Sequence, residues 1–183
     1  MVSTVLDIYP VSVDWTERLA YRQQSSFQKI WDVLDQVKDP EIPVISIWEL
    51  GILCDVKQES DEYVICITPT YSGCPAMETV ESDVLMALQE IGITKASVRT
   101  QLSPAWTTDL MSPEARQKLK QYGIAPPDKT ACGGCGLTPE SGIQCPRCGS
   151  TETQRISEFG STACKSLFQC QDCLEPFDYF KHI

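Results

Sequence analysis

Two short turns, CPRC at 145–148 and CQDC at 170–173, stand 21 residues apart. Each presents two thiolates to one ion, and two such turns complete a tetrahedron of sulfur. Around them the sequence is poor in aliphatic side chains, so apolar burial cannot fold this stretch unaided. Metal binding must then supply most of the folding free energy, on the order of 10 kcal/mol for a structural zinc site. Cys145, Cys148, Cys170 and Cys173 are therefore read as the ligands of a structural zinc ion. The rival use of a CxxC pair, thiol–disulfide exchange, needs a helix start and a low thiol pKa, and nothing around either turn supplies a thioredoxin-type unit.

Three more sulfurs lie in the same tail: Cys132 and Cys135 in CGGC, and Cys164 in STACK. The only histidine, His182, follows. Together they make one further set of four ligands, again suited to zinc. In the other reading Cys164 is a small buried apolar residue, and Cys132 and Cys135 are linker thiols.

Upstream the texture is that of an ordinary globular domain. Residues 1–24 show no sustained period and read as a loosely packed extension. Ser25 followed by Gln28 suggests a capping box, and Phe27, Ile30, Val33, Leu34 and Val37 recur at helical spacing over roughly three turns. Pro40 stops that helix. ILCDVKQ and EYVICITP read as a hairpin, Pro75 to Ile91 as a second helix, and SVRTQL as a third strand. A last helix has Ser112 as N-cap, Pro113 at its first position and Gly123 at its stop. The fold class expected is α+β: a small three-stranded sheet with helices on one face over residues 25–127, then a zinc-ribbon-like domain over 128–183.

Within the first domain Cys74 stands alone in TYSGCPAME. Gly73 permits a sharp turn, Pro75 suits a first helical position, and the free N–H groups and dipole of a helix start favour a thiolate. Such a thiolate is a nucleophile or a soft-metal ligand; in the bland reading Cys74 is a small buried residue before a helix. Asp39 and Glu41 in DPEIP are second ligands or bases, or else carboxylates collected by a turn. Cys54 and Cys66 fall inside apolar strands and read as packing thiols.

A net charge of −10 argues against a phosphate-backbone partner, and the tail is not basic either. No basic and apolar leader opens the sequence, and no apolar run approaches ~18 residues, so a soluble, cytoplasmic protein outside the membrane is expected.

DPEIPVISIWELGIL, TPTYSGCPAMETV and SPAWTTDLMSPEARQKLKQYGIAPP, in that order, resemble the domain shared by bacterial SufT proteins and eukaryotic cytosolic iron–sulfur targeting factors. With the tail ISEFGSTACKSLFQCQDCLEPFDYFK added, the chain resembles the PaaD family, whose members are associated with phenylacetyl-CoA epoxidase. The resemblance implies an accessory role without catalysis of its own. It would help to install an iron centre or iron–sulfur cluster, with the motif cysteine at Cys74 and transient iron or cluster as cargo. The implied partners are the oxygenase component of the epoxidase and its iron–sulfur reductase. Tails of that family end in cysteine where this chain has His182, an exchange that keeps a zinc ligand. A thiol–disulfide oxidoreductase, or a zinc-ribbon interaction module retained as a structural subunit, is the alternative.

Overall fold

The computed structural model describes residues 14–127 and 139–182, and its first element is a helix where the sequence suggested a loose extension. Helix α1 spans Trp15–Gln24, and the Asp14 side chain caps it by accepting the Glu17 N–H at 3.0 Å. One buried cation fastens it. Arg18, 4 % exposed, donates to the carbonyls of Trp48 (3.0 Å), Leu53 (2.9 Å) and Leu110 (2.5 Å), and its guanidinium lies 4.1 Å over the Trp48 ring. Arg22 adds ion pairs to Asp32 and Asp35 at 2.8 and 2.9 Å.

The capping box expected at Ser25 and Gln28 does not form. Because α1 ends just before it, the Gln28 amide turns back and donates to the Arg22 and Ser25 carbonyls. The Ser25 hydroxyl accepts the Phe27 N–H instead, and α2 is shorter than expected, Gln28–Leu34. A capping box forms instead at α3, Ile47–Leu50. There the Ser46 hydroxyl accepts the Glu49 N–H, and the Glu49 carboxylate accepts the Ser46 N–H, both at 3.0 Å.

β1 (Leu53–Glu59) and β2 (Glu62–Ile67) form the expected hairpin. β3 (Ala96–Thr100) runs parallel to β2, which requires a crossover, and α4 (Met77–Glu90) provides it, burying Val80, Val84 and Leu88 on one face. The sheet order is β1-β2-β3. α5 (Pro113–Tyr122) starts and stops as its local chemistry dictates: the Ser112 hydroxyl accepts the Ala115 N–H at 2.9 Å, and Gly123 closes it at φ 92°.

A second sheet has the order β4-β7-β6-β5, built from β4 (Ile124–Ala125), β5 (Thr153–Ser157), β6 (Lys165–Cys170) and β7 (Pro176–Phe180). The whole is α+β, a three-stranded mixed sheet with helices followed by a zinc-ribbon-like sheet. The two parts exchange material. β4 leaves α5 directly and pairs in parallel with β7, while Cys164 and Phe180 of the ribbon sit in the main core, the Phe180 ring 5.9 Å from Trp106.

Trp106 is seated by its indole N–H, which donates to the Leu50 carbonyl at 3.2 Å. Gly51 makes room for it. At φ 91° a Cβ there would stand 2.8 Å from the Leu110 Cβ and 3.1 Å from the Trp106 Nε1. Gly51→Ala is expected to cost about 1–3 kcal/mol from the left-handed backbone, with the overlap added to it. A denaturant midpoint equal to that of the parent chain would refute this.

Candidate metal and thiol sites

The four ribbon cysteines converge. Cys145 and Cys148 lie in the turn before β5, while Cys170 ends β6 and Cys173 lies in the turn between β6 and β7. Each turn is closed by backbone bonds, Gly149 N–H to the Cys145 carbonyl at 2.9 Å and Cys170 N–H to the Glu175 carbonyl at 3.1 Å. The Sγ atoms of Cys145 and Cys173 are 3.8 Å apart, those of Cys148 and Cys170 are 3.5 Å apart, and all four lie within 4.8 Å of one another. A tetrahedral zinc with Zn–S bonds of ~2.3 Å has S···S edges of about 3.8 Å, so the set fits such an ion. The Cys173 backbone N–H, aimed at the Cys170 sulfur, lowers that thiol to about 7, while hydrogen bonding among the sulfurs raises Cys148 to about 12. Among the described residues this is the one cluster of its kind.

The other candidate residues lie in the loops after α2 and β2. Asp39 is buried in the loop after α2, and its Oδ1 accepts the N–H groups of Glu41 (2.9 Å) and Ile42 (2.8 Å), while its own N–H donates to the Ile45 carbonyl. Buried Ile42 and Ile45 hold the loop down, and Glu41 between them stays half-exposed. Cys74 sits in the loop after β2, bent back so that its N–H donates to the Tyr71 carbonyl at 3.1 Å.

The charge state of Cys74 departs from the sequence expectation. α4 begins only at Met77, so Pro75 is not at its first position, and the Cys74 sulfur receives just the Ala76 N–H and the Tyr71 hydroxyl. Burial outweighs them, and with the charges of Glu41 and Asp39 it pushes the thiol above its ordinary range. A thiol, and not the expected thiolate, is the resting form. Burial likewise raises Asp39 and Glu41.

Cys164 belongs to this group. It is buried in the turn before β6, its sulfur 3.0 Å from the Thr162 Oγ1, and the same Thr162 hydroxyl bonds the Glu41 carboxylate. Lys165, 2 % exposed, faces Asp39, Glu41 and Cys164. Sequence reasoning placed Cys164 with Cys132, Cys135 and His182; the first two lie outside the described residues. The Lys181 N–H donates to the Cys164 carbonyl at 3.0 Å, which sets His182 beside this turn, and its Nε2 is buried with no hydrogen-bond partner. Tyr71, Thr162 and Lys165 were missed, because only the packing of two distant segments brings them in.

Cys54, at an irregularity in the register of β1, donates its S–H to the Ile52 carbonyl at 3.5 Å, and Cys66 donates to the Gln101 Oε1 at 3.4 Å; both are free thiols. A cleft of about 720 Å³ lined by Trp15, Arg116, Lys120 and Gln144 contains no thiol. Among the described residues no helix is long and apolar enough to cross a membrane.

A three-stranded α+β unit joined to a four-cysteine β-ribbon defines a class of two-part chain, an α+β domain followed by a zinc-ribbon-like one. Residues 28–99 match the family described as "Iron-sulfur cluster assembly protein", and residues 134–181 match the "PaaD zinc beta ribbon domain". The chain belongs to the PaaD family: it is 50 % identical over 167 residues, 91 % of its own length and 99 % of the relative, to an Escherichia coli protein named as a putative component of 1,2-phenylacetyl-CoA epoxidase. Among solved structures, a domain of unknown function from Bacillus anthracis is 28 % identical, with a TM-score of 0.47, over 57 % of this chain and 95 % of that one. A conserved hypothetical protein from Thermotoga maritima is 27 % identical, with a TM-score of 0.44, over 52 % and 94 %.

Proposed function

We propose that this chain is an accessory factor of a phenylacetyl-CoA epoxidase system that delivers iron, as ion or cluster, to its oxygenase component or iron–sulfur reductase. The observation that carries this is the group around Cys74. A half-buried thiol, raised first by burial and then by the charges of Glu41 and Asp39, lies in the field of two carboxylates that attract a cation. Iron arriving there displaces the thiol proton, and the exposed side of Cys74 lets it leave again, as a closed four-ligand site would not allow. Zinc in the Cys145, Cys148, Cys170 and Cys173 site is structural in this reading. Its closed sulfur set also speaks against a cycling disulfide.

In cells lacking the protein, the oxygenase and reductase polypeptides are expected at normal levels but under-filled with iron, with phenylacetyl-CoA left unoxidised. Cys74→Ser should not restore them, since serine keeps the size of the residue without offering a thiolate. Cys66→Ala should restore them. Full iron loading of both components in the deletion strain would end the delivery reading and leave a purely structural role in its place.

A further inference from the structure

The loop that joins β5 to β6 turns two apolar side chains outward and holds them there. Single exposed apolar residues are ordinary, but Ile156 and Phe159 are each presented by a local device. Ile156 is the extra residue of a bulge in β5: Arg155 pairs with Phe168 and Ser157 with Leu167, so the residue between them has no place in the ladder. Phe159, 63 % exposed, is fixed through its backbone. Its N–H donates to the Ser157 Oγ at 3.2 Å, and the Gly160 N–H donates to the Lys165 carbonyl at 2.8 Å. Ser161 then donates its N–H and its hydroxyl to the Asp178 carboxylate, at 3.3 and 2.7 Å. The loop passes so close to that carboxylate that a Cβ on Gly160 would collide with its Oδ1. Over the Phe159 ring stands the Lys181 ammonium, 4.4 Å from the centroid, which also donates to the Ala163 carbonyl at 3.0 Å and pairs with Glu158 at 3.4 Å.

We infer that Ile156 and Phe159 are the contact by which this chain docks on a partner protein, and that the partner offers an apolar pocket with lysine or arginine at its rim. The loop is bonded in place before the partner arrives, so little conformational freedom is lost when the aromatic ring is buried. Charge sets the rim. The Arg155 and Lys181 side chains are 18 % and 14 % exposed, whereas Glu140 and Glu158, with which they pair, are 80 % and 46 % exposed. The cations are thus tucked under the loop and the carboxylates face solvent beside the apolar pair. On a chain of net charge −10 they favour a basic counterpart over a second copy of this same acidic chain.

The docking surface rests on this geometry, and the identity of the partner rests on the delivery reading above, in which it is the epoxidase component that receives iron. The loop ends at Cys164 within the main core, so a partner seated on Phe159 is held by a segment anchored in the domain that carries Cys74.

The test titrates the full chain, its ribbon filled with zinc, against the purified oxygenase component and against the purified reductase. The parent should bind one of them, less tightly as salt rises. Phe159→Ser should bind it about 30-fold more weakly or worse, the loss that marks an aromatic anchor. Leu174→Ser removes another exposed apolar side chain, at the other end of β6, and should bind as the parent does. Zinc content and circular dichroism report that both variants are folded. Equal affinity of Phe159→Ser and the parent would overturn the inference. So would a parent that binds neither component, or a parent whose self-association, read by sedimentation, is what Phe159→Ser abolishes. Should Phe159→Ser fail to fold, hydrogen exchange on the parent gives the same decision: the N–H groups of residues 155–161 gain protection in the complex, and unchanged exchange there refutes docking. Loss of binding in Phe159→Ser, together with full iron loading of both components in cells lacking this protein, would keep the docking surface and remove the delivery reading.

Discussion

Stripping the metal from the ribbon should unfold more than the ribbon. Binding of a structural zinc ion contributes ~10–16 kcal/mol in small zinc modules, and here the apolar cluster beside it comprises only Ala125, Ile143, Phe168, Phe177, Tyr179 and the cysteines themselves. Such a cluster does not hold four strands without the ion. From sequence alone, Cys170→Ser should loosen the tail and leave residues 27–126 untouched. The packing says otherwise, because Phe180 and Cys164 lie in the main core and β4 pairs with β7. Loss of the ion, by chelation or by Cys170→Ser, is expected to free residues 139–182 to protease and also to uncover Trp106, now 2 % exposed. Tryptophan emission should move to the red and the midpoint of the remaining core should fall. A tail that becomes protease-sensitive with no change in emission would show the two parts to be energetically separate.

The second large effect is expected at Arg18. Its three acceptors, the carbonyls of Trp48, Leu53 and Leu110, come from three separate segments, so one side chain ties α1, α3, β1 and the loop before α5 together. Burial lowers the guanidinium only to about 10, so it stays charged at neutral pH and keeps its donors. Arg18→Met fills a similar space but leaves buried carbonyls short of a partner and removes the cation from the Trp48 face. Losing one side of such a buried arrangement costs roughly 3–5 kcal/mol. For a chain of this size that is roughly 6–20 °C in melting temperature. Arg18→Lys should recover only part of it, since a lysine ammonium lacks the planar fork that reaches three carbonyls. A melting temperature for Arg18→Met within 2 °C or so of the parent would refute the anchoring role.

The parts legible in the sequence are those written in local chemistry. Ser112, Pro113 and Gly123 mark the ends of α5 because caps act within a few residues, and the paired turns at Cys145 and Cys170 declare a metal site by spacing alone. α1 is not legible, since a charged residue anchors it on carbonyls far along the chain. The resting form of Cys74 escapes the sequence for the same reason. A helix start acts on its nearest residues, whereas the burial that raises the thiol, and the Glu41 and Asp39 charges that add to it, arrive through tertiary packing. Cys164 groups with its neighbours in sequence, but the turn that carries it packs against the other domain.

The parallel pairing of β4 with β7 also orders events during synthesis. Ile124 emerges from the ribosome well before Asp178, its partner in the ladder, so the edge of the second sheet waits, unpaired, for the final strand to be made. Trp106 waits for Phe180 in the same way. Until the ribbon has closed around its ion, a nascent chain displays an open strand and a bare indole to chaperones and proteases. A cell short of that metal would accumulate less of this protein, and its supply would set how many copies survive to work.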